Sequence, residues 1–128
     1  MSLKVPADLV VQAQAGEISD ADFAGCIRES LPYAWSVVSE LADRLAENGG
    51  PFADNQTAPP DEGARGELLR LVASDAMRAV IERHFGVRLA FQNCHRLALF
   101  DPSAVDAYAE FITPRAQVLN QKPELVNC

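Results

Sequence analysis

Apolar positions recur at spacings of three and four through much of the first half of the chain. Phe23, Ile27, Leu31 (with Ser30 as its alternative), Ala34, Val38, Leu41 and Leu45 form the clearest series. Arg28, Glu29, Ser36, Ser39, Glu40, Asp43 and Glu47 fall on the opposite side. A stripe of this kind belongs to an amphipathic helix facing a core. Ser19, with Asp22 three residues on, resembles a capping box and marks the start. Asn48-Gly49-Gly50-Pro51 marks the end. Pro32 lies in the middle, where it lacks the amide N–H that a helix interior uses. The apolar phase survives across it, so the expectation is one kinked helix.

Before this element, a short helix is expected from Pro6 to Ala15, with Leu9, Val10 and Ala13 as its apolar side and Gly16 ending it. After it, residues 49–63 (GGPFADNQTAPPDEG) read as a long connection in which Phe52 is the only large apolar residue. Connections of this length are usually functional or disordered. A third helix is expected from Asp61 to Phe85, stopped by Gly86. Leu68, Leu69, Val72, Ala76, Ala79 and Val80 would line one face, with Ile81 and Phe85 nearly opposite.

The period then changes to two. Val87, Leu89 and Phe91 alternate with Arg88, Ala90 and Gln92, and Leu97 and Leu99 alternate with Arg96 and Ala98. This reads as a β-hairpin broken at Gln92-Asn93. Asp101-Pro102 then caps a fourth helix reaching Thr113, with Val105, Tyr108, Phe111 and Ile112 inward. The expected fold class is α+β, predominantly helical, with about four helices and a small β-hairpin near residues 87–100. Residues 1–113 would form a single helical domain with the hairpin, and residues 114–128, which have no clear period, an extended C-terminal arm or tail. There is no internal repeat.

Composition adds limits. The chain has 128 residues, 48% hydrophobic and 23% charged, and a domain of this length can bury roughly two thirds of its unfolded surface without a disulfide or metal. No apolar run approaches the about eighteen residues of a membrane span. Met1–Pro6 carries one basic residue and no long apolar stretch, so no secretory signal is expected. Cys26, Cys94 and Cys128 are odd in number and far apart, which suits reduced thiols in a cytoplasmic protein. In that setting the sequon Asn55-Gln56-Thr57 carries no weight. The net charge of −7 argues against a nucleic-acid partner, which needs clustered positive charge. Residues 1–63 carry net −8, residues 64–100 net +3 and residues 101–128 net −2. Such asymmetry either marks a partner-facing side or is an ordinary solvated helix face.

The candidate chemistry is sparse. Cys94, His95 and Arg96 are the first cluster, because a thiolate beside an imidazole can act as a nucleophile or ligate zinc. On a strand, however, neighbouring side chains point to opposite faces, and Cys94 is equally a small core residue with His95 at the sheet edge. The 49–63 loop is the second, with Asp54, Asn55, Gln56, Asp61 and Glu62 offering oxygens and amides and Arg65 following. Its spacing does not match an EF-hand. Arg65 and Arg83 fall on the apolar side at opposite ends of the third helix, so Asp54, Asn55, Arg65 and Arg83 are the ligand-binding candidates, and Arg83 could instead pair with a carboxylate of the acidic first half. Phosphate-loop, dinucleotide, nucleophile-elbow and metalloprotease motifs are absent. No metal and no cofactor are expected.

The expectation is a small non-enzymatic interaction or regulatory protein, dimeric with itself through the hairpin or an adjacent apolar face. The alternative is a small enzyme or ligand-binding protein whose site combines Cys94, His95, Arg96 and the 49–63 loop.

Overall fold

Chain breakers decide where each helix stops. In the computed structural model, which describes residues 3–93 and 95–120, α1 (Ala7–Gln14) follows Pro6 and ends before Gly16, whose φ of 97° suits a residue without Cβ. Ser19 then caps α2 (Asp20–Ser30) by accepting the N–H of Asp22. Pro32 divides the long element instead of bending it. Leu31 leaves the helical region at φ −128°, ψ 64°, and α3 (Pro32–Asn48) starts afresh with the proline in its first turn. There the missing N–H has no helical partner to lose.

The 49–63 connection contains a strand, β1 (Phe52–Asp54). The expected third helix is also two, α4 (Glu62–Ala73) and α5 (Asp75–Phe85), separated by Ser74. The Ser74 hydroxyl accepts the N–H of Met77, so an N-cap residue that looked like helix interior opens a new helix. The hairpin follows as β2 (Arg88–Gln92) and β3 (Arg96–Phe100), with Asn93 in its turn at φ 60°. Then come α6 (Val105–Phe111) and α7 (Pro114–Leu119). The described residues thus hold seven helices, not about four. The stretch expected to be an arm begins as a helix capped by Thr113, whose hydroxyl accepts the N–H of Ala116; residues 121–128 lie outside the described residues.

The three strands form an antiparallel sheet in the order β1-β3-β2. Ala53 pairs with Leu99 and Leu99 with Leu89, so the hairpin's second strand is the centre of the sheet. Successive side chains alternate between faces. Leu89, Leu97 and Leu99 join the main core with Ile27, Val38, Leu41, Leu68, Leu71 and Ile81 from α2 to α5. Ala90, Ala98 and Phe100 face the other way, onto Phe111 and Tyr108 of α6. Phe100 is held edge-on by both rings, at 5.4 and 5.3 Å between centroids. Leu97, Ala98, Leu99 and Phe100 are all fully buried. The chain therefore covers both faces of its central strand itself, and the need for a partner there, expected from the sequence, is met internally. No helix among the described residues is long and apolar enough to cross a membrane.

Candidate functional site

Pairing of β1 with β3 brings the two predicted clusters together. The last paired residue of β1 is Asp54, opposite Ala98. Beyond it, the Asn55 N–H still donates to the Leu97 carbonyl at 3.3 Å, and its side chain adds two bonds to the same strand end: Nδ2 donates to the His95 carbonyl at 2.6 Å and Oδ1 accepts the Leu97 N–H at 2.7 Å. Asp54 Oδ2 pairs with Arg96, at 2.6 Å from Nε and 2.5 Å from Nη2. Its Oδ1 accepts from Gln56 Nε2 at 2.6 Å, and its carbonyl accepts from Arg44 Nη1 at 3.3 Å.

The cluster extends to α7. Arg96 Nη1 and Asn93 Nδ2 both donate to the Asn120 carbonyl, and Gln117 Nε2 donates to Asn93 Oδ1. Gln92 Nε2 donates to the Phe111 carbonyl and fastens the end of α6 in the same way. Asparagine suits the left-handed turn position at 93 because its short polar side chain tolerates positive φ.

His95 is 3% exposed. Burial holds its pKa below the ordinary histidine value, and the charges of Arg65 and Arg96 lower it further. A buried imidazole beside two guanidiniums is a neutral ring. Arg65 itself pairs with Glu62 one turn earlier in α4. Of the sequence candidates, Asp54, Asn55, Arg65, His95 and Arg96 therefore gather at one end of the sheet. Arg83 does not. It lies on α5, where Nε and Nη2 take both carboxylate oxygens of Asp20 at 2.7 and 3.0 Å. Cys94 lies outside the described residues.

The chemistry available to the cluster follows from these bonds. Asp54 is committed to Arg96 and Gln56, and Asn55 is committed to the backbone of the hairpin. A cleft of about 530 Å³ opens beside it, lined by Asn55 and Gln56 with Tyr33, Glu40 and Arg44, and His95, Arg96 and Arg65 do not line it. Among the described residues no group of three histidine, cysteine or acidic side chains could hold a metal ion. The arrangement is a clamp joining β1, the hairpin turn and α7.

Two surface features were missed by sequence reasoning. One is an apolar groove where α1, the start of α2 and α5 meet, lined by Val5, Val10, Ile18 and Phe23 and continuing onto Ala76 and Val80. Ile18 and Phe23 stand just before and four residues after the Ser19 cap, the spacing of a hydrophobic staple, which was the available signal. The other is a cleft of about 560 Å³ between α5, β2 and Tyr108 of α6. Nothing in the sequence pairs those elements. The family model described as NucS shadow ORF matches residues 1–128, and the chain belongs to that family. No curated protein and no solved structure matches the chain.

Proposed function

We propose that this member of the NucS shadow ORF family is a small non-enzymatic interaction or regulatory protein whose partner, a second copy of the chain, docks on the apolar groove of α1, α2 and α5. The observation that carries the reading is the exposure of large aliphatic side chains along one line. Val5, Val10 and Ile18 are 48%, 42% and 42% exposed beside the half-buried Phe23. Across Ile18 and Phe23 the groove of about 330 Å³ runs into a second of about 280 Å³ on α5. Contiguous apolar surface with polar surroundings marks interaction sites on proteins, and closed pairs are the commonest oligomers.

The enzymatic alternative built on Cys94, His95, Arg96 and the 49–63 loop has less behind it. Asp54, Gln56 and Arg96 are spent on one another, and the neutral ring of His95 is buried beside the charges of Arg65 and Arg96. A cytoplasmic setting accords with the buried free thiol of Cys26.

Sedimentation equilibrium of the parent and of Ile18→Glu tests the proposal. The parent is expected at twice the 13.9 kDa chain mass, and Ile18→Glu at the single-chain mass with an unchanged circular dichroism spectrum. A parent of single-chain mass at every micromolar concentration overturns the dimer.

A further inference from the structure

The chain carries net charge −7, yet the cleft of about 560 Å³ between α5 and α6 is lined by Arg78, Arg83 and Arg88. Their obligations differ. Arg83 is engaged by Asp20, and Arg78 by Asp75 one turn earlier in α5. The side chain of Arg88, at the exposed start of β2, forms no ion pair and no hydrogen bond with the described residues. Its guanidinium carbon lies 3.6 Å from the centroid of the Tyr108 ring. Stacking occupies a face of the guanidinium and leaves its N–H groups, which lie in the plane, free to donate. Tyr108 is itself edge-on against the fully buried Phe100, so the platform beneath Arg88 is fixed by the core.

We propose that this cleft binds a small organic monocarboxylate, its two oxygens taken by the Arg88 fork and its apolar body resting on Ala79 and Pro102, which line the cleft. The fork of an arginine matches the planar carboxylate, and the cleft has the size of small-molecule sites. The acids in the cleft decide the charge. Asp75 and Glu82 also line it. Glu82 accepts the N–H of Leu89 and is thereby held in place. Two carboxylates beside the arginines disfavour a dianion such as phosphate more than a single carboxylate. Arg78 strengthens the site at little cost, because its pair with the exposed Asp75 is a surface pair that opens readily. Arg88 and Tyr108 take no part in the apolar groove proposed above, so either proposal can fail alone.

The test is a titration of the full ¹⁵N-labelled chain with benzoate, benzyl alcohol and inorganic phosphate, followed by amide chemical shifts. Benzoate is expected to give saturable shifts at Gly86–Leu89 and Tyr108, with half-saturation in the millimolar range. Benzyl alcohol is expected to bind at least roughly tenfold more weakly, through loss of the charge-assisted contact, and phosphate more weakly than benzoate, through repulsion by Asp75 and Glu82. Arg88→Leu should weaken benzoate by a similar factor. Arg88→Lys, which keeps the charge but loses the fork and the stack, should also weaken it and serves if the leucine variant does not fold. Arg115→Gln, removing an exposed arginine paired with Glu110, should leave binding unchanged. Absence of saturable benzoate shifts, phosphate binding tighter than benzoate, or full benzoate affinity in the Arg88 variants overturns the proposal.

Discussion

Glu67 of α4 accepts the backbone N–H of Tyr33 in the first turn of α3 at 2.8 Å, and that of Ala34 at 3.4 Å. Glu67 stands in for a cap, because Leu31, the N-cap of α3, offers no side-chain oxygen. The first N–H groups of a helix have no partner within it, and a carboxylate at that end also meets the positive pole of the helix dipole. Glu67→Ala is expected to destabilise the fold by about 1–2 kcal/mol, the usual cost of a lost cap, and Glu67→Gln by less. Urea unfolding measures both, and an alanine variant with the parent midpoint would contradict the cap.

Asp54 and Arg96 are both largely buried, with side chains 10% and 15% exposed. Removing one partner of a buried pair leaves the other charge without compensation. Asp54→Ala is expected to cost about 3 kcal/mol, whereas Asp54→Leu combined with Arg96→Met should recover most of that loss. A double-mutant cycle by thermal melts measures the coupling. Additive effects of the two changes would mean that the pair does not act as a unit.

His95 gives the fold a pH dependence near neutrality. Burial and the neighbouring Arg65 and Arg96 hold its pKa below the ordinary 6.5. In the unfolded chain it takes up a proton near that value, while in the native chain it does not, so the unfolded state binds more protons. Stability is therefore full above 6.5 and falls as the pH drops from there towards the lowered native value. Asp20 and Asp101, both lowered from an ordinary 3.8, lose their contributions at more acid pH. Urea midpoints are expected to decline between about pH 7.5 and about pH 5.5 in the parent, and much less in His95→Gln. Equal slopes in the two proteins would refute the assignment.

The sequence made the amphipathic helices, the hairpin and most of the clamp residues legible, because each depends on local period or residue type. What it concealed depends on breaks and on distant pairing. An unbroken helix continuing from Leu68 and Leu71 would bury Asp75 and Arg78. The cap at Ser74 resets the phase and turns Met77, Val80 and Ile81 inward instead. β1 is three residues long, too short to show a period, and its pairing with β3 is what makes Asp54, Asn55 and Arg96 one cluster. Helix α7 had its signals in Thr113 and Pro114, but a six-residue helix is shorter than two turns and shows no stripe. The apolar run Leu97–Phe100 needs cover on both faces, and all four residues are buried. That cover comes from α3 and α6 of the same chain, so a charge at Leu97 or Leu99 would unfold the domain rather than part a dimer.

The proposed dimer has an electrostatic signature. Each copy carries net charge −7, and Glu17, Asp20 and Asp22 stand in the segment that supplies Ile18 and Phe23 to the groove. Two such surfaces repel, and the apolar contact must overcome that repulsion. Raising sodium chloride from about 20 mM to about 500 mM screens the charges and should tighten association. Sedimentation equilibrium across that range is the measurement. Weaker association at high salt would point to an interface held by ion pairs instead.

The most direct test of the interaction reading is a dilution series of the ¹⁵N-labelled chain, followed by amide chemical shifts from millimolar to micromolar concentration. The expected shifts map to Val5–Gln14, to Ile18–Phe23 and to Ala76–Val80 on α5, with the hairpin unmoved. Spectra that do not change on dilution, or changes confined to β2 and the hairpin turn, would contradict it.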